Sequence, residues 1–263
     1  MEGLSSQERN VDVDKRNFIE AVSSIPINEI PTEFDESATE RLTKSLEDTK
    51  LLILGEMHGV KENVDIIYTL FKKFNFRQLA LEWDTNLKGV AERFVESGDL
   101  DFDAIKDSPD GRITAGHFAL IKRLKEEGML EKLVCFDGSG PTSWDERDAN
   151  MAKNILSSLS EVLTLALAGN LHAKKEPITF DDESGEHHPM GERVEGKLPN
   201  VPFGEIKYLG GQFYNCGIRD FGGEKERQKY QKAKFVIENG LYKFVLPEAH
   251  VAVVPNTHTK TRK

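Results

Sequence analysis

Cysteine is scarce in this chain: its 263 residues hold two, Cys135 and Cys216, without CxxC spacing. That excludes a disulfide framework and a thiolate metal cluster. Long apolar runs are also missing. No stretch approaches the roughly 20 apolar residues that cross a bilayer, and residues 1–10 are polar and acidic, unlike a secretory leader. The expectation is a cytoplasmic protein with no membrane partner. Positive charge is in deficit, 35 Lys plus Arg against 45 Asp plus Glu for a net charge of -10. A binder of nucleic-acid phosphates needs the opposite balance. Ser139 and Ser143 stand in no GxSxG elbow. Gly210-Gly211 and Gly222-Gly223 stand in no strand–GxGxxG–helix context, so serine hydrolases and nucleotide binders lack their signatures. There is no internal repeat and no low-complexity block.

What remains is the composition of a globular domain, 38% hydrophobic and 30% charged. Residues 1–35 read as an irregular leader with a short helix at 15–23. A helix with a Ser37–Glu40 capping box follows at 37–46. Short apolar runs then alternate with helical periodicity. Strands are expected at 51–55, 76–83, 133–136 and 162–168, and helices at 62–74, 86–96, 115–127 and from Ser143 onward. Such alternation predicts an α/β fold, a mostly parallel sheet with helices on both faces. Residues 174–199 are polar and carry three glycines, which reads as a lid loop within a single 36–257 domain. Later strands are expected at 205–214 and 243–254, and residues 258–263 form a basic tail.

The polar residues fall where a core has no use for them. The first strand ends in Gly55-Glu56-Met57-His58, the second in Glu82-Trp83-Asp84, the third in Asp137-Gly138 and the fourth in Gly169-Asn170-Leu171-His172. In an open α/β sheet, ligands bind beyond the carboxyl ends of the strands. Parallel strands therefore bring Glu56, His58, Glu82, Asp137, Asn170 and His172 to one cleft. Imidazoles and carboxylates so gathered can hold a divalent metal or act as a general acid/base set. Arg147, in the first turn of its helix, can bind a substrate carboxylate or orient Glu82 or Glu56. His187 and His188 read as part of the solvated lid, and Cys135 as a small buried hydrophobe.

These motifs carry a resemblance. The GExH of residues 55–58 and the GNxH of residues 169–172 resemble the paired motifs of the erythromycin esterase/ChaN-like/Tiki superfamily. Arg147-Asp148-Ala149-Asn150-Met151-Ala152 is similar to its RDxxMA helix start. Glu82 fits its acidic residue after the second strand, and Met190-Gly191 its MG element. The resemblance spans about residues 48–215.

It implies the α/β fold and a hydrolytic cleft acting on an ester or amide of a small-molecule substrate. In an esterase-like branch, His58 would activate water, supported by Glu56, Glu82 and His172, with Asp137, Asp148 and Asn170 assigned to substrate binding. In a protease-like branch, His58, Glu82 and His172 would hold a divalent metal such as Mn, Co or Zn. A ChaN-like branch would bind haem or another small ligand without catalysis, although the acidic residues Asp181-Asp182-Glu183 would repel haem propionates. A third possibility is a scaffold that has kept the fold without the chemistry. The chain has little sequence for the helical cap that encloses a macrolide, so a small or open-bound substrate is expected.

Overall fold

A computed structural model of the protein describes residues 6–108, 110–138, 140, 143–179, 185–221 and 232–255, with backbone alone for residues 6–12. Its first half runs α1 (Ser6–Ser24), β1 (Thr32–Phe34), α2 (Glu36–Thr49), β2 (Leu51–Glu56), α3 (Asn63–Phe74), β3 (Gln78–Asp84) and α4 (Lys88–Ser97). The short α5 (Phe102–Ile105), α6 (Ala115–Glu126), β4 (Lys132–Asp137), α7 (Trp144–Ser158), β5 (Thr164–Gly169) and α8 (Met190–Glu195) come next. Five strands close the described chain: β6 (Phe203–Tyr208), β7 (Gln212–Tyr214), β8 (Ile218–Asp220), β9 (Ala233–Glu238) and β10 (Leu241–Leu246).

Eight strands form one sheet in the order β1-β9-β10-β6-β2-β5-β3-β4. All its pairings are parallel except β9 with β10. Every residue of β2 is buried, and its alternate side chains enter different cores. Leu51 and Ile53 pack with Met151 and Ile155 of α7 and with Met190 and Val194 of α8. Leu52 and Leu54 belong to the larger cluster that includes Ile67 and Phe71 of α3 and Phe118 of α6. Both faces of the sheet are therefore covered by helices, which is why the strands read as continuous apolar runs. Each such fully buried Leu or Phe contributes about 1.5–3 kcal/mol relative to exposure.

Because β2, β5, β3 and β4 are adjacent and parallel, Glu56, Gly169, Glu82 and Asp137 arrive at one edge. The β3–β4 register shifts between Leu81 and Asp84, so β3 carries one extra residue where Glu82 and Trp83 leave the ladder. Ser143 caps α7 as its sequence predicts, its Oγ accepting the Glu146 N–H at 3.1 Å.

Several sequence expectations are corrected. Residues 6–24 form one helix rather than a leader with a short one, and β1 pairs with β9. Phe18 is the reason: it is fully buried and meets Phe102 and Phe118 at 5.7 and 6.1 Å, contacts made far along the chain. The cap of α2 is Asp35, whose Oδ1 accepts the Ala38 N–H at 2.8 Å, in place of the Ser37–Glu40 box. The supposed lid at 174–199 is partly core. Met190 and Val194 of α8 are buried, and a Cβ on Gly191 would lie 2.4 Å from the Lys174 carbonyl. The 205–214 strand divides at Leu209 into β6 and β7, and β7 pairs with β8 in a separate two-stranded sheet. Ser139, Gly222-Gly223, Asp181-Asp182-Glu183 and the 258–263 tail lie outside the described residues.

Candidate active site

Glu82 is the centre of the cleft. It is buried at the end of β3, and its two oxygens face different groups. Oε2 accepts the backbone N–H of Gly169 at 2.7 Å and lies 3.8 Å from His58 Nε2. Oε1 accepts from Arg147 NH2 at 2.5 Å and lies 3.5 Å from Arg112 NH1 and 3.7 Å from His172 Nε2. Burial pushes the Glu82 carboxyl upward, but His58, His172, Arg112 and Arg147 outweigh it and hold the group down at about 2. Glu82 is thus a carboxylate throughout the working pH range.

On one side of it stands a His–carboxylate pair. His58 Nδ1 is 2.8 Å from Glu56 Oε1, two residues back along the chain. The other oxygen of Glu56 accepts from Asn63 Nδ2, which also reaches the Met57 carbonyl at 2.9 Å. Tyr208 donates its hydroxyl to Asn63 Oδ1 at 2.5 Å, completing the support. Burial raises the Glu56 pKa, against the opposing pull of His58. Burial alone would lower His58, but the hydrogen bond to Glu56 and the charges of Glu82 and Glu56 raise it above the ordinary 6.5. His58 keeps 13% of its side chain in solvent. Its Nε2 lies close against Gly169, where an added Cβ would sit 3.0 Å away.

On the other side Arg147 makes a fork. Its Nε and NH2 donate to the two oxygens of Asp137 at 3.0 and 2.8 Å, and NH1 donates to His172 Nε2 at 2.9 Å. His172 Nδ1 lies 2.9 Å from Asp148 Oδ1, which also accepts the Met190 N–H at 2.7 Å. This network requires the His172 tautomer with its proton on Nδ1. Arg112 adds a second guanidinium, with NH1 on Asp137 Oδ2 at 2.7 Å and NH2 on Asp110 Oδ2 at 2.6 Å. The carboxylates around Arg147 and Arg112 more than offset burial and raise both guanidinium pKa values, so both stay charged.

The structure therefore brings together Glu56, His58, Glu82, Asp137, Arg147, Asp148 and His172. Asn170 is the exception. Its Oδ1 is buried without a hydrogen-bond partner against Gly55, where a Cβ would approach it to 2.8 Å. Four contributors were missed in the sequence. Arg112 follows the Asp110-Gly111 turn, and Trp144 stacks on His172 at 5.0 Å. Tyr208 is hidden because the expected strand ran past it, although it too ends a strand. Asn63 opens α3 directly beyond the His58 loop. Outside the cleft, His188 bonds to Glu192 at 3.0 Å, and burial pushes the Cys135 thiol up to about 12, which suits an inert side chain.

The residues do not fit a divalent cation at His58, Glu82 and His172. The Arg147 guanidinium already lies between Glu82 and His172, and the His172 Nε2 lone pair is accepting its N–H. Among the described residues, no group of three or more His, Cys, Asp or Glu is arranged to hold a metal ion. Haem does not fit either. Both nitrogens of His172 are bonded, and Gly169 closes in on His58 Nε2.

The fold and cleft define a doubly covered, mostly parallel α/β protein with its polar site at the strand carboxyl ends. No protein-family model matches the chain, and no curated protein matches it in sequence. Solved structures share its fold. An erythromycin esterase, EreC, in its open conformation superposes with a TM-score of 0.58 at 13% identity, covering 82% of this chain and 94% of that one. A succinoglycan biosynthesis protein gives 0.56 at 11% identity, over 95% and 99% of the two chains. A Bacillus cereus protein gives 0.57 at 8% identity, over 91% and 99%. The chain thus has an erythromycin esterase-like fold. None of its described helices is long and apolar enough to cross a membrane.

Proposed function

We propose that the protein is a hydrolase in which His58 activates water against an ester or amide carbonyl. The observation that carries this reading is the 2.8 Å contact of Glu56 with His58 Nδ1. A carboxylate there holds the ring in the Nδ1–H tautomer and leaves Nε2, on the side of Glu82, with the lone pair. Water hydrogen-bonded to Nε2 loses a proton to it as the water oxygen attacks the carbonyl carbon. The tetrahedral oxyanion then needs donors. Of the five N–H donors of a guanidinium, the contacts of Arg147 use Nε, both hydrogens of NH2 and one of NH1. The second NH1 hydrogen remains for the oxyanion. Collapse of the intermediate expels the alcohol or amine, which takes the proton back from His58 Nε2. The products are a carboxylic acid and an alcohol or amine, with no other co-reactant. Glu82 stabilises the imidazolium formed midway, from 3.8 Å.

The esterase name of one structural neighbour and the GExH and GNxH motifs support the same reaction class. Replacing His58 with Ala tests it. Hydrolysis of nitrophenyl acetate should fall by about 10²-fold or more with the unfolding midpoint within a few degrees of wild type. Full activity in the variant sinks the proposal.

A further inference from the structure

Behind the His58–Glu56 pair lies a second, buried layer of polar side chains. Asn63 is 1% exposed, and Tyr208 is buried at the end of β6, the strand beside β2. The Asn63 amide nitrogen faces two acceptors, the Met57 carbonyl and the Glu56 oxygen turned away from His58. Reversed, the amide would set its own oxygen against both, so the NH2 group must lie on this side. Asn63 Oδ1 is thereby left to accept the Tyr208 hydroxyl at 2.5 Å. The Tyr208 ring packs on Phe221, with centroids 5.3 Å apart. Although Asn63 opens α3, whose N-cap Glu62 makes no side-chain cap, its amide serves Glu56 instead. Apolar groups of the same shape can replace a buried hydrogen-bonded pair at almost no cost in stability. Stability alone therefore does not call for an amide and a phenol here.

We propose that Asn63, backed by Tyr208, is a positioning residue for the hydrolysis, fixing the Glu56 carboxylate so that His58 stays in the Nδ1–H tautomer. Glu56 stands two residues before His58 and is held at both oxygens, by His58 Nδ1 on Oε1 and by Asn63 on Oε2. Burial pushes its carboxyl upward, and the bonds from His58 and Asn63 oppose that rise. Without the Asn63 donor the carboxylate is free to turn or to take up a proton, and either change weakens its hold on Nδ1. A ring so released moves its proton to Nε2, where it cannot accept one from water. The proposal rests on the hydrolase reading for its kinetics, and its tautomer arm does not.

The kinetic arm measures kcat and KM for nitrophenyl acetate. Asn63→Ala should lower kcat by about tenfold or more and leave KM within about twofold. Tyr208→Phe keeps the ring and removes one hydroxyl. It should lower kcat by about threefold, and it carries the test if Asn63→Ala does not fold. Unchanged kcat, or a loss confined to KM, would overturn the proposal.

The tautomer arm is NMR of the histidine ring nitrogens, with the His58 signals identified by their absence from His58→Ala. Once the ring is neutral, wild-type Nδ1 should carry hydrogen and Nε2 should not. In both variants part of the His58 population should carry its hydrogen on Nε2, more in Asn63→Ala than in Tyr208→Phe. A lower kcat with the wild-type tautomer would mean only a general loosening of the loop and would overturn the proposal. The tautomer shift in a protein that hydrolyses no ester would remove the hydrolase reading and keep the positioning role. Hydrolysis that depends on His58, with kcat and tautomer untouched in both variants, would do the reverse.

Discussion

Gly169 shows how much the cleft depends on single atoms. Its N–H donates to Glu82 Oε2, and the missing side chain is what lets the His58 ring lie so close to it. An added methyl would stand 3.0 Å from His58 Nε2 and 3.5 Å from Glu82 Oε2. Gly169→Ala should therefore push the His58 ring out of position. We expect kcat for nitrophenyl ester hydrolysis to drop by about tenfold or more, with the unfolding midpoint changed much less than in a core deletion. Undiminished kcat would show that the position of the His58 ring does not matter to the reaction. The His58–Glu56 pair is the part of this site that the sequence displays openly, because both residues lie in one four-residue motif. The clamp formed by Arg112 and Arg147 on Asp137 is less visible. Arg147 is legible beside its Asp148, whereas Arg112 reaches the cleft from a turn whose position depends on long-range packing.

At the scale of elements, the loop after β2 is tied to three other segments through Gly59. Its N–H donates to the Gly111 carbonyl at 3.0 Å, and its own carbonyl accepts from Tyr214 at 3.2 Å and Ala252 at 2.9 Å. Gly59 has φ +69, and a Cβ on it would lie 2.1 Å from the Tyr214 carbonyl oxygen. Both left-handed backbone and close approach demand glycine. Gly59→Ala should lower stability by at least about 2 kcal/mol in urea denaturation and reduce activity with it, since the same loop carries His58 and its neighbour carries Arg112. A variant of wild-type stability would refute this junction.

Local elements were readable because β2 and β5 are short continuous apolar runs and α3 states its helical period plainly. The exceptions have physical causes. The Phe18 helix gains its stability from Phe102 and Phe118, contacts that periodicity does not record. The segment carrying α8 looks solvated because its two buried side chains, Met190 and Val194, are surrounded by polar residues.

For the whole molecule, the buried ionisable groups set the response to acid. Glu82 is held at about 2 against an ordinary 4.5, and burial, with the nearby His58 charge, drives His117 down to about 3 from 6.5. Both folded-state values are depressed. Their stabilisation is present above the ordinary values and is lost as pH falls through 6.5 toward 3 and through 4.5 toward 2. The urea midpoint should fall on going from about pH 7 to about pH 3, and a constant midpoint would contradict this charge assignment. His58 follows the opposite rule. Its raised value favours the imidazolium, so its stabilisation is present below 6.5 and is lost as pH rises through the higher folded value. The same deprotonation creates the base. The most direct test of a water-activating His58 is therefore the pH dependence of kcat/KM for an activated ester. The rate should climb with pH through one ionisation above 6.5, and the ascending limb should move to lower pH in Glu56→Gln, where the raising hydrogen bond is lost. A profile flat from about pH 5 to 8, or one unmoved by Glu56→Gln, would contradict it.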